Sequence, residues 1–98
     1  MGTFIALLDY TDQGIREIKD SPHRADKFNE LAERAGARVV GQYWTIGSHD
    51  GVLILDAPND EVAASILLAL GAAGNVRTTT LRAYQWADAQ ELIESPRE

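Results

Sequence analysis

His23 and His49 are the only imidazoles in the chain, and imidazole is the usual general base near neutral pH. His49 lies in the string Gly47-Ser48-His49-Asp50, which has the composition of a tight turn. Arg77 and Arg82 are the cations best placed to steady an anionic intermediate beside such a base. Tyr10, Trp44, Asp50 and Asn75 add hydrogen-bond donors and acceptors, so that with His49 and Arg77 they form a candidate ligand-binding set. Each residue also has a plainer reading. His49 serves as a solvated turn residue, Asp50 pairs with Arg77, and Asn75 holds a left-handed turn. His23, in the first turn of a helix, is exposed beside Arg24, where the two could hold an anion.

Tyr43, Trp44, Tyr84 and Trp86, with Arg82 nearby, suit either a mostly apolar cavity with a few polar tips or an interface. The two histidines have no carboxylate at ligand spacing, so no metal is expected. The chain has no Gly-rich phosphate loop, G-x-S-x-G elbow or Ser-His-Asp spacing, and no cofactor is expected. There are no cysteines, which removes disulfides and thiolate chemistry. The net charge is -6 and the nine basic residues are scattered, so nucleic acid is not an expected partner. No stretch approaches the ~18 apolar residues of a membrane span, and no basic leader precedes the first strand; cytoplasm is the expected location.

These side chains need a scaffold, and the spacing of apolar residues predicts one domain over residues 1–98. Thr3 to Tyr10 and Arg38 to Ile46 read as strands, as does the branched run Gly51 to Asp56. Val76 to Trp86 alternates and is β-branched, which predicts a fourth. A short helical turn is expected from Thr11, then a helix capped by Ser21, with Pro22 at its first position and a stripe of Ala25, Phe28, Leu31, Ala32 and Ala35. Asn59 is the expected cap of a second helix, with Asp60 and Glu61 at its positive end. Its run Val62 to Leu70 has one polar residue, Ser65, and predicts a helix covered on nearly all sides. Gly71 and Gly74 offer left-handed caps. Asp88 caps a short C-terminal helix through Ile93, and Ser95 to Glu98 is expected to fray.

The order β-α-β-β-α-β is that of the ferredoxin-like unit. Right-handed crossovers give an antiparallel four-stranded sheet of order 4-1-3-2, with both helices on one face. The third strand is apolar on both sides, Val52 and Ile54 on one and Leu53 and Leu55 on the other. A sheet apolar on both faces needs a second cover, and a second copy of the chain is the expected one.

Gly47-x-x-Asp50, Asp56-Ala57-Pro58-Asn59-Asp60-Glu61 and Gly74-Asn75-Val76-Arg77-Thr78 resemble the GYD domain family, as do Gly14-Ile15 and Ser21-Pro22-His23-Arg24 upstream. The resemblance runs from Phe4 to about Tyr84. His49 stands where the family usually has tyrosine. Membership implies a dimeric α+β barrel, in which two ferredoxin-like sheets pack face to face. The family's biochemical role is largely unassigned, while other proteins with this barrel include cofactor-independent monooxygenases, isomerases and haem enzymes. The expected function is therefore a homodimer binding a small apolar or aromatic molecule. One alternative is a cofactor-independent oxygenase or isomerase with a histidine base, His49 or His23. The other is a non-catalytic structural or regulatory dimer.

Overall fold

The computed structural model describes residues 1–95. Strand β1 (Gly2–Tyr10) is followed by a short helix α1 (Asp12–Arg16), a 3-10 turn (Ile18–Asp20) and helix α2 (Ser21–Arg34). Then come β2 (Arg38–Trp44), β3 (Gly51–Ala57), α3 (Asp60–Ala72), β4 (Val76–Ala83) and α4 (Trp86–Glu94). The strands form one antiparallel sheet of order β2-β3-β1-β4, the expected ferredoxin-like arrangement.

The core lies between the sheet and helices α2 and α3. Phe4 and Ala6 of β1 and Leu53, Leu55 and Ala57 of β3 meet Phe28 and Ala32 of α2 and Ala63, Ile66 and Leu67 of α3. Leu53 and Leu55 are fully buried. The other sheet face carries Ile5, Leu7, Val52 and Ile54, all half-buried, with exposed Leu81 and Tyr43 beside them. The two sides of β3 divide as its pattern predicts.

Local chemistry sets the element ends. The Asn59 side chain accepts from the Val62 N–H at 2.8 Å, as an N-cap does. Gly36 ends α2 with φ +82°, and Gly74 turns the chain into β4 with φ +88°. Gly71 instead lies within α3. Ser21 is the first residue of α2 rather than its cap; Asp20 holds the cap position without a side-chain capping bond, and the Ser21 hydroxyl is engaged across the fold by Tyr10 and Trp44.

Two expectations about covering and length are corrected. Helix α3 buries one stripe, Ala63, Ile66 and Leu67, and leaves Ala64, Ser65, Leu68 and Ala69 exposed. Leu68 is 72% exposed; a single sheet can cover only the face turned toward it. β4 stops at Ala83 rather than Trp86, because its pairing with β1 runs out at Thr3. Trp86 then opens α4, whose described residues are none of them buried. The fraying expected of the last residues falls, for Pro96 to Glu98, outside the described residues.

Strand β2 holds the least anticipated feature. Arg38 pairs with Asp56 and Val39 with Leu55, but the next pair is Gly41 with Ile54. Val40 is the extra residue of a β-bulge, and a one-residue shift exchanges the faces of everything after it. Without the bulge Trp44 would lie on the open face with Arg38. With it, Trp44 stands beside Gly51 and Gln42 beside Leu53, on the helix-covered face, while Tyr43 takes the open one.

Candidate functional site

A cleft of about 360 Å³ opens between α2, the end of α3 and the end of the sheet. Its walls are mainly apolar: Leu8, Phe28, Leu31, Leu53, Leu70 and Val76. Tyr10, Trp44, Asp50 and Asn75 of the candidate set also line it. The bulge in β2 brings Trp44 there, the antiparallel pairing of β1 with β3 brings Asp50, and the Gly74 turn brings Asn75.

One oxygen organises the cleft's polar side. The Trp44 Nε1–H donates to Ser21 Oγ at 2.9 Å, and Tyr10 Oη lies 3.2 Å from the same oxygen. Thus the ends of β1 and β2 and the start of α2 converge on Ser21 Oγ. Arg24, one helical turn further on, donates to the carbonyls of Glu17 (2.9 Å) and Gly14 (3.5 Å). Lys27 lies one more step along the same wall. Sequence reasoning placed Ser21 as a cap and did not include Lys27; a hydroxyl that bonds across the fold leaves no periodic signal.

The floor of the site is tied together by backbone. Asp50 neither pairs with Arg77 nor caps its own turn. Its Oδ2 accepts from the Tyr10 N–H at 2.8 Å, and its own N–H donates to the Leu8 carbonyl at 2.8 Å. The Thr45 hydroxyl closes the turn by donating to the His49 carbonyl at 2.7 Å. At the neighbouring strand end, Thr11 N–H donates to the Asn75 carbonyl at 3.1 Å, and the Thr11 side chain both donates to Gly74 O and accepts from Gly14 N–H. Asn75 Oδ1 accepts from Gln13 Nε2 at 3.0 Å. Asn75 therefore links α1 to β4, while the left-handed conformation belongs to Gly74.

The remaining candidates lie elsewhere. His49 Nδ1 is 3.2 Å from Asp9 Oδ1, and Asp9 stands opposite Arg77 across β1 and β4. These three form a polar group at the end of the open face, with the sheet between them and the cleft. His23 is exposed on the first turn of α2. Arg82 is paired with Phe4 near the opposite end of β1 from the cleft. Its guanidinium stacks on Tyr84, 4.4 Å from the ring centre, and lies 5.3 Å from Phe4. It also donates to the carbonyls of Thr3 and Ala83. β2 and β4 are opposite edges of the sheet, so Trp44 and Arg82 do not share a cavity within one chain. Among the described residues no cluster of three or more His, Asp or Glu side chains is close enough to hold a metal ion. No helix among them is long and apolar enough to cross a membrane.

The sheet order and helical layer define an α+β protein of the ferredoxin-like class. The chain belongs to the GYD family: the model of the GYD domain matches residues 4–93. It is 38% identical over 89 residues to a Thermus thermophilus protein named as a glutamine synthetase and cystathionine beta-lyase binding protein, covering 90% of this chain and 94% of that one. In fold it is similar to a feast or famine regulatory protein from M. tuberculosis solved with L-methionine. That likeness has a TM-score of 0.66 at 18% identity, and covers 87% of this chain but 51% of the other. The chain thus corresponds to about half of that regulator.

Proposed function

We propose that this GYD-domain protein is a homodimeric small-molecule-binding module, with one cleft in each protomer at the α2 end of the sheet. The cleft carries the reading: a concave, mostly apolar space of about 360 Å³ with a converging trio of polar tips is of the size and composition of ligand pockets. The open sheet face supports the dimer. Ile5, Leu7, Val52, Ile54 and Leu81 lie side by side as a contiguous apolar surface, and such surfaces commonly mark contact sites. Mass spectrometry under native conditions on protein purified from its own host tests the reading. A bound molecule should be retained by the natural chain and lost from Ala69→Trp, whose exposed position on the cleft wall accepts a bulky side chain without disturbing the core. A bound molecule kept unchanged by that variant refutes the cleft assignment.

A second reading, regulation by contact with an enzyme, is favoured by the Thermus thermophilus relative, which is named for binding two enzymes. Surface plasmon resonance against glutamine synthetase from the same host tests it, and the absence of a saturable response at micromolar protein counts against it. The two readings are compatible, since a ligand held at the root of α2 would sit beside the exposed surface of that helix.

A further inference from the structure

Several N–H and O–H groups on the polar side of the cleft have no partner among the described residues. Trp44 Nε1–H, Ser21 O–H and Tyr10 O–H are three donors. Ser21 Oγ accepts from Trp44, and the contact between Ser21 and Tyr10 uses only one of the two hydroxyl hydrogens. One O–H therefore has no partner within the trio. Arg24 has five N–H groups, of which the Glu17 and Gly14 carbonyls engage two. Lys27 adds three more. Neither cation has a carboxylate within 4.0 Å among the described residues. On the acceptor side, Asn75 Oδ1 receives the Gln13 amide and Asp50 receives the Tyr10 N–H on Oδ2 alone, so Asp50 is the one carboxylate of the lining, against the two cations Arg24 and Lys27. In a chain of net charge -6, two unpaired cations beside an apolar cleft are a local reversal of the overall sign.

We propose that the cleft takes an apolar or aromatic body bearing a carboxylate, the carboxylate meeting Arg24, Lys27 and the spare hydroxyl hydrogen of the Tyr10–Ser21 pair. The inference rests on the small-molecule reading above and adds the chemical class. A planar carboxylate offers the acceptors that this donor set lacks, and an arginine fork binds it with two parallel bonds. The body would lie against Leu8, Phe28, Leu31 and Leu70. A cavity of roughly 150 Å³ holds one benzene ring, so the cleft has room for a body of one or two rings.

Isothermal titration of the full chain with three probes of one shape tests this: 2-naphthoate, 2-naphthamide and 2-naphthylmethylammonium, with benzoate as a smaller acid. The acid should bind at least tenfold more tightly than the amide, the ammonium should bind most weakly, and the preference should shrink as salt is raised. Lys27→Gln, on an exposed position, should fold normally and lower the acid-to-amide ratio severalfold while leaving the amide's affinity unchanged. Arg24→Gln should lower it further, with circular dichroism confirming that α2 remains. Equal binding of acid and amide, or preference for the ammonium, overturns the carboxylate assignment and leaves a ligand-binding cleft. Failure of all four probes at millimolar concentration, with no NMR shift at Trp44 Nε1, overturns both this assignment and the reading on which it rests.

Discussion

Replacing Gly14 by alanine sets local preference against tertiary contact, and the structure decides the sign. Gly14 lies in α1, where alanine is ordinarily the better residue by about 0.8–1.0 kcal/mol. A Cβ built at Gly14, however, falls 1.9 Å from the Asn75 carbonyl oxygen and 2.8 Å from its carbon. Ordinary contact between such atoms needs more than 3 Å, so the β4 entrance must move by over an ångström. That carbonyl accepts the Thr11 N–H, and the preceding Gly74 carbonyl accepts the Thr11 hydroxyl. Losing one or both bonds costs roughly 1–2 kcal/mol, and the backbone shift adds about 1–3 kcal/mol. Against a helical gain near 1 kcal/mol, the net expectation is destabilisation of about 1–4 kcal/mol. Gly71→Ala is the internal control: it too lies within a helix, but its Cβ would have nothing within 4 Å, so it should stabilise by about 0.5–1 kcal/mol. Urea denaturation of both variants at one protein concentration reads the difference, because self-association would otherwise shift the midpoint. If Gly14→Ala matches Gly71→Ala in sign, the close approach of α1 to β4 is wrong, and with it the placement of Asn75 at the cleft.

Three further outcomes follow from the same geometry. Leu67→Ala, in the core, should cost about 2–5 kcal/mol, whereas Leu68→Ala, 72% exposed, should stay within about 0.5 kcal/mol; thermal or urea denaturation distinguishes them. The natural chain should sediment as a dimer, and Val52→Glu and Ile54→Glu as folded monomers, since their side chains lie on the open face; dissociation by Leu53→Glu without unfolding would contradict the division of β3. Asp50→Ala removes the acceptor of the Tyr10 N–H and should cost about 1–3 kcal/mol, while His49→Tyr, which loses only a partly exposed contact to Asp9, should change stability by less than about 1 kcal/mol. Equal losses in those two variants would mean that the turn is held by His49.

Much of the fold is legible because its causes are local. The branched run Gly51 to Asp56, the Asn59 cap and the left-handed glycine at 74 each act within a few residues. The strand order then follows from chain direction and crossover hand. The site is legible only as to which end of the sheet it occupies. Tyr10, Asp50 and Asn75 do meet there, but His49 and Arg77 belong to the other face, and counting strand ends does not distinguish two faces. That distinction requires parity along each strand, and parity in β2 is broken by the bulge at Val40.

The bulge did leave a trace. Gly41 is a lone glycine inside a strand rich in β-branched and aromatic residues, a position where glycine weakens the ladder unless the backbone needs it. Its Cβ would fall 3.2 Å from Ile54 Cδ1 and 3.3 Å from Tyr43 Cε2, so a larger residue fits only if those side chains give by a few tenths of an ångström. Taken as a bulge marker, Gly41 moves Trp44 from the open face to the side of α2, where Ser21 is the hydroxyl in reach. A single extra residue in an edge strand thus decides whether the indole joins the surface open to a second subunit or completes the polar side of the cleft. The proposed dimer face and the proposed ligand site are therefore adjacent in sequence, at Tyr43 and Trp44, but lie on opposite sides of one strand.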